Sequence, residues 1–273
     1  MCELLGLAFN RSVSPGLSFR GFRHRGEDNP HGWGIAAISP RRTTIHKEPI
    51  DAQESDFARG LPDRDPLHAP LFIGHVRAAS EGGVSLDNTH PFARPLGDGT
   101  LTLAHNGTLG HMRKLRTLAG PAFTPAGQTD SELILGAILS WIDRERAARG
   151  KRPAEEPAAD PLSDYAVLED FLHEVNDLGN MNLLFSDGCR LFCYHDANGY
   201  NGLAWTRREA PFCRVSLRDE EWEAALDEEK ARGQRGYVIA SHPLTDGEEW
   251  EPCGHGRLMV IEHGAAVFGA GAA

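Results

Sequence analysis

Short runs of apolar residues, each closed by polar or turn-forming residues, recur along this chain at the length of buried strands. The first, Glu3 to Phe9, ends at the polar stretch Asn10 to Ser14 and predicts a strand that begins at the N-terminus, with Cys2 at its end. Runs of the same kind are Gly34 to Ile38, Leu71 to Val76, Leu101 to His105, Met181 to Phe185, Leu191 to Tyr194, Tyr237 to Ala240 and Leu258 to Glu262. Between them the period changes. Leu133, Ile134, Ala137, Ile138, Trp141 and Ile142 recur at helical spacing behind Thr129-Asp130-Ser131-Glu132, which has the spacing of a capping box. A second helix is predicted from about Asp164 to Leu178, with Leu168, Leu172 and Val175 on one face and Gly179 as its stop; a third, shorter one covers Met112 to Leu118. The highly charged segment Asp219 to Arg232 predicts a solvated helix, and residues 149–163, rich in Pro, Ala and Glu, an exposed loop. No repeat and no long Gly/Ser linker divides the chain, so a single domain over residues 1–273 is expected. Strands, then helices, then strands again predict an α+β fold of two antiparallel sheets with helices outside.

Composition narrows the partners. A chain of 273 residues, 40 % hydrophobic and 25 % charged, can bury a substantial core. Its 28 basic against 39 acidic residues leave a net charge of −11, which repels nucleic acid and anionic membrane surfaces and points to a small partner. Residues 1–20 lack the basic start and apolar run of a signal peptide, and no run of about 18 apolar residues occurs, so a cytoplasmic location is expected. The five cysteines (Cys2, Cys189, Cys193, Cys213, Cys253) are odd in number and scattered, which predicts reduced thiols, with Cys189 and Cys193 as same-face core residues of one strand. Thirteen histidines show neither His-Glu-x-x-His nor Cys-x-x-Cys spacing, so neither a metal nor a cofactor is expected. Trp33 reads as a core aromatic, and Arg207 to Phe212 as a solvated loop.

Candidate chemistry starts at residue 2. If Met1 is removed, Cys2 carries a thiol and a free α-amine, groups that titrate near pKa values of about 8.5 and 8. The amine can then take the thiol proton directly or through one water. Four polar clusters sit at strand ends or a helix start: Gly74-His75-Val76-Arg77, Thr89-His90-Pro91-Phe92, His105-Asn106-Gly107 and Thr129-Asp130-Ser131-Glu132. Each has a structural reading. Arg77 could simply end a strand at the surface, Asn106-Gly107 could be a turn, and Asp130 a helix cap. With an N-terminal cysteine they also supply what hydrolysis of a γ-glutamyl amide requires. The Asn106 amide and the Gly107 N–H are suitable donors to a tetrahedral oxyanion. Arg77 and Asp130 complement the carboxylate and ammonium of a free amino acid.

In the order and spacing of these motifs the chain resembles the class II glutamine amidotransferases of the N-terminal nucleophile hydrolase superfamily, above all their stand-alone members. The resemblance runs from Met1-Cys2-Glu3-Leu4-Leu5-Gly6 through Gly32-Trp33-Gly34-Ile35, Gly74-His75-Val76-Arg77, Asn88-Thr89-His90-Pro91-Phe92, Ala104-His105-Asn106-Gly107 and Thr129-Asp130-Ser131-Glu132 to Asn182-Leu183-Leu184-Phe185-Ser186-Asp187-Gly188, and covers about residues 2–245. It implies a four-layer αββα sandwich. It also implies Cys2 as nucleophile with its α-amine as base, Arg77 on the substrate carboxylate, Asn106 and Gly107 as the oxyanion hole, and Asp130 on the α-ammonium. Fused members often follow the arginine with Trp-Ala-Thr-His, where this chain has Ala78-Ala79-Ser80-Glu81; Ser80 is carried over as substrate-binding. His31 stands where an aspartate is usual before Gly-Trp-Gly. The implied reaction is hydrolysis of the glutamine γ-carboxamide through a γ-glutamyl thioester, with ammonia released or handed to a separate synthase. Two alternatives stand beside it: hydrolysis of another γ-glutamyl amide, and a catalytically silent regulatory subunit.

Overall fold

The structure, a computed structural model, describes residues 1–64, 67–79, 82–150, 160–210, 212, 215–218, 223–224 and 232–269. The chain begins with β1 (Glu3–Val13), α1 (Gly16–Arg23), β2 (Trp33–Ser39), β3 (Arg42–Glu48), α2 (Asp56–Arg64) and β4 (Ala69–Val76). There follow β5 (Phe92–Leu96), β6 (Gly99–Leu109), α3 (Met112–Ala119), α4 (Asp130–Arg149) and α5 (Tyr165–Asn176). Next come β7 (Gly179–Ser186), β8 (Arg190–Tyr194), β9 (Ala204–Glu209), β10 (Val215–Leu217), β11 (Glu223–Ala224) and β12 (Arg235–Ala240). The last strands are β13 (Thr245–Asp246), β14 (Glu251–Pro252), β15 (Leu258–Glu262) and β16 (Ala265–Phe268).

Two large antiparallel sheets form, in the strand orders β14-β9-β12-β1-β4-β2-β3 and β16-β15-β8-β7-β6-β5. Their central strands read as unbroken apolar runs because both faces are covered. Successive residues alternate between two cores. Leu4 and Ala8 of β1, Ile73 of β4, Ala104 of β6 and Leu184 of β7 meet between the sheets. Leu5 and Leu7 face the other way, toward Phe19 and Phe22 of α1. Leu103, Met181 and Phe185 face Ile134 and Ile138 of α4 and Leu172 of α5. Helix, sheet, sheet and helix therefore stack in four layers, as expected. Gly34 allows one close approach: a Cβ there would lie 2.2 Å from the carbonyl oxygen of His90, so the segment before β5 packs directly onto β2.

The eight expected strands and the helices at 112, 130 and 165 are all present. Four readings change. Cys189 is exposed in the turn before β8 and only Cys193 is buried, because the strand starts at Arg190. Arg207 to Glu209 belong to β9 rather than to a loop, and Arg208 is buried in an ion pair with Glu248. Of the expected helix over Asp219 to Arg232, Glu223 and Ala224 are a strand paired with β10; residues 219–222 and 225–231 lie outside the described residues. The expected loop at 149–163 includes residues 151–159, also outside the described residues, and its end is a 3₁₀ turn, Pro161–Ser163, that buries Pro161 and Leu162. Trp33 is fully buried against Phe19, and Trp33 Nε1–H donates to Glu48 Oε2.

Candidate active site

The apolar layer between the sheets turns polar at one end. Two residues on from Leu4, Ala104, Leu184 and Ile73 along their strands stand Cys2, Asn106, Asn182 and His75, at positions that period-2 alternation assigns to the same face. Asn106 and Asn182 are direct cross-strand partners in the β6–β7 ladder. This end of the sandwich is where four of the strands bring their chemistry together.

Cys2 is half-buried, and its thiol lies against the segment that leaves β4. The Ala78 N–H donates to Cys2 Sγ at 3.2 Å, and Sγ lies 3.2 Å from the Ala78 carbonyl oxygen, which can accept from the thiol. Burial pushes the thiol above its ordinary pKa, while the Ala78 amide, the positive Met1 terminus and the Arg77 guanidinium pull it back. In this chain Met1 is present, so the Cys2 nitrogen is a peptide nitrogen.

Arg77, buried to 2 % exposure, follows β4 directly. Its backbone is clamped: its N–H donates to the Gly32 carbonyl at 2.8 Å, and its carbonyl accepts from the His31 N–H at 3.0 Å. The guanidinium reaches the carbonyls of Gly83 (3.3 Å) and Gly82 (3.4 Å). Burial lowers its pKa, partly offset by attraction to Cys2. His31 acquires a role here that its sequence position did not suggest: its Nδ1 accepts from the Ala79 N–H at 3.0 Å. Residues 77–79 are thus braced on the side away from the thiol.

Asn106 Nδ2 donates to the Cys2 carbonyl at 2.6 Å. Gly107 has φ +153°, and a Cβ on it would sit 2.0 Å from the carbonyl oxygen of Asn180, a position only glycine can occupy. His105 points the other way, between Ser131 Oγ (2.9 Å) and the Asn180 carbonyl (3.2 Å). Burial drives the imidazole of neighbouring His75 down to about 3, with His105 and Arg77 adding to the shift, so it is a neutral core group and no general base.

Asp130 opens α4, with Thr129 as the N-cap accepting from the Glu132 N–H. Its Oδ2 accepts from the Leu109 N–H (2.7 Å) and its Oδ1 from the Ser131 N–H (2.8 Å), which ties the helix start to β6 two residues beyond Gly107. The structure thus sets Arg77 beside the Cys2 thiol and Asn106 on the Cys2 carbonyl, with Gly107 next to Asn106 in β6 and Asp130 tied to the same strand at Leu109. Ser80 lies outside the described residues. Among the described residues, no group of three or more His, Cys, Asp or Glu is placed to hold a metal, and no helix is long and apolar enough to cross a membrane.

Asn201 is a contact the sequence reading missed. It has φ +53°, and its Nδ2 is a second donor to the Cys2 carbonyl, at 3.1 Å. The signal available was Asp196-Ala197-Asn198-Gly199-Tyr200-Asn201-Gly202, which predicts a turn with Asn in a left-handed conformation and says nothing of what that Asn touches.

A family profile described as "Glutamine amidotransferases class-II" matches residues 1–271. Among curated proteins, the uncharacterized protein MJ1515 of Methanocaldococcus jannaschii is 37 % identical over 268 residues, covering 98 % of this chain and 71 % of its own. Among solved structures, that of a "predicted glutamine amidotransferase" from Pseudomonas aeruginosa PA01 superposes with a TM-score of 0.67 at 28 % identity, covering 98 % of this chain and all of that one. The glutamine phosphoribosylpyrophosphate amidotransferase of B. subtilis shares the fold at 18 % identity and a TM-score of 0.60, over 96 % of this chain and 47 % of that one.

Proposed function

The chain belongs to the class II glutamine amidotransferases, enzymes of glutamine amide hydrolysis and ammonia transfer, and on that premise we propose that Cys2, freed of Met1, is its nucleophile. The observation that carries this reading is the seating of the Cys2 thiol on the Ala78 amide, beside Arg77, with the Cys2 carbonyl held by Asn106.

In the proposed reaction Sγ adds to the γ-carbonyl carbon of glutamine while the α-amine takes the thiol proton. The resulting oxyanion is met by the Asn106 amide, which carries a second N–H beyond the one on Cys2, and by the Gly107 N–H. The C–N bond then breaks, the amine returns the proton to the leaving nitrogen, and ammonia departs. Water hydrolyses the thioester, which yields glutamate and restores the thiol. Arg77 takes the substrate carboxylate and Asp130 its α-ammonium, a pairing that rejects glutamine embedded in a peptide.

The test is a glutaminase assay with labelling by a glutamine-analogue alkylator, on wild type and Cys2→Ala, with intact masses recorded first. The expected result is a wild-type mass without Met1, one label on the N-terminal peptide, and loss of label and turnover in the variant. Retention of Met1 in active protein, or labelling that persists in Cys2→Ala, overturns the proposal.

A further inference from the structure

Two amides converge on one carbonyl at the head of the chain. Asn106 Nδ2 and Asn201 Nδ2 both donate to the Cys2 oxygen, the first from strand β6 and the second from the turn between β8 and β9. Asn106 belongs to the motif discussed above. Asn201 does not, yet the protein holds it with an elaborate polar scaffold. Asp196 Oδ1 accepts from the N–H groups of Asn198 (2.8 Å) and Tyr200 (3.3 Å), and Oδ2 from the Met181 N–H and Asn176 Nδ2, both at 2.8 Å. Burial alone would raise the Asp196 carboxyl; these four donors hold it below its ordinary value, so it stays charged and keeps the loop closed. Asn182 Nδ2 then donates to the carbonyls of Tyr200 (2.6 Å) and Gly202 (3.2 Å), one on either side of Asn201. Held on both sides, the left-handed Asn201 has its side chain fixed in place.

That side chain is only half used. Asn201 Oδ1 is buried and has no hydrogen-bond partner, although the residue lines the cleft of about 410 Å³ that also contains Met1 and Glu3, the chain neighbours of Cys2 on both sides. Because Nδ2 of the same amide donates to the Cys2 carbonyl, Oδ1 is carried beside residue 2, where the Cys2 peptide N–H does not reach it. While Met1 is attached, that nitrogen carries one hydrogen and sits in a peptide plane. Once Met1 is removed it is an amine with two or three hydrogens and free rotation.

We infer that Asn201 is a positioning residue for the α-amine of mature Cys2, its Oδ1 accepting one amine N–H so that the nitrogen lone pair is turned to the thiol. The inference rests on the reaction proposed above and adds to it the group that orients the base. It also accounts for an otherwise costly orphan acceptor: the oxygen waits for a donor that processing creates.

Two substitutions keep the left-handed backbone and change only the amide: Asn201→Gly removes it, and Asn201→Asp replaces it with a charged acceptor. Glu3, Glu27, Asp28, His24, Arg25 and His242 line the same cleft, and Arg77 acts on the Cys2 thiol. These are the same in all three proteins, so differences between the proteins report on residue 201. The first readout needs no turnover: acetylation of the Cys2 α-amine by acetic anhydride as a function of pH, quantified on the N-terminal peptide by mass spectrometry after thioesters are cleared with hydroxylamine. Loss of an acceptor destabilises the ammonium, so Asn201→Gly moves the apparent midpoint to lower pH, by about half a unit; Asn201→Asp moves it to higher pH by a similar amount. The second is steady-state glutamine hydrolysis, where Asn201→Gly lowers kcat about tenfold with KM within about twofold. Midpoints that coincide in all three proteins, or move the same way in both variants, overturn the inference, whatever happens to thermal stability. If wild type fails to hydrolyse glutamine, the proposed function fails, while the acetylation profiles still decide the place of Asn201.

Discussion

Asp130→Asn separates the two tasks assigned to one carboxylate. A carboxylate offers about four acceptor positions. Here they are taken by the Leu109 N–H, the Ser131 N–H and, at 3.2 Å, the Ser131 hydroxyl, which leaves one for a substrate ammonium. In asparagine one oxygen becomes an NH₂ group, which must face either Leu109 or Ser131. One charge-assisted bond is lost, about 1.5–3 kcal/mol, and two N–H groups are left opposed in a buried site, about 1–3 kcal/mol more. The expected cost is about 3–5 kcal/mol, a fall in Tm of roughly 6–20 °C for a chain of this size. The variant still folds at 25 °C, where loss of the ammonium's partner raises KM for glutamine at least about tenfold, some 1.4 kcal/mol. Thermal melting and steady-state kinetics on the same preparation read the two effects apart. Thr129→Ala is the control: it removes the cap, about 1 kcal/mol, and leaves KM unchanged. A lowered Tm with wild-type KM would reduce Asp130 to a helix-start residue, and an unchanged Tm would refute the hydrogen-bond accounting.

Three further outcomes are expected. Gly107→Ala loses both stability and turnover, by more than about 3 kcal/mol and a hundredfold, because its Cβ drives β6 from β7 at the proposed oxyanion donors; a wild-type melting curve would contradict this. Arg77→Lys retains the charge and loses the two-pronged grip proposed for the substrate carboxylate, so KM for glutamine rises about tenfold or more with kcat within a few-fold, which steady-state assays check. The folded His75 ring, pushed down to about 3, stays neutral where the unfolded ring protonates at about 6.5, so its contribution to stability is complete above that pH and is lost as pH falls toward 3. At pH 5 the loss is about 2 kcal/mol, and His75→Phe shrinks the Tm difference between pH 7 and pH 5 accordingly; an equal drop in variant and wild type would show that other groups carry the acid sensitivity.

How far the sequence alone reaches is plain from particular elements. The strands at 3, 33, 69, 99 and 179 announce themselves because they are buried on both faces and read as apolar runs, and α4 because its cap and its stripe agree. Helices α1 and α2 escape notice: each is about two turns long, and α2 carries Pro62 within it, so neither shows enough period. Strand β3 is missed because an edge position admits charge, and β9 because it carries Arg207, Arg208 and Glu209 next to the two-residue edge strand β14.

The chemistry divides the same way. Cys2, Arg77, Asn106-Gly107 and Asp130 can be named from the chain because each belongs to a local motif whose residue types suit one reaction. That His31 braces residues 77–79, that Asp196 and Asn182 clamp a loop, and that Asn201 reaches back across the chain to the Cys2 carbonyl are decided only by the tertiary structure. Local spacing records which turn or helix a residue starts. Contacts between residues 199 positions apart are set by sheet order and register, which no short window of sequence contains.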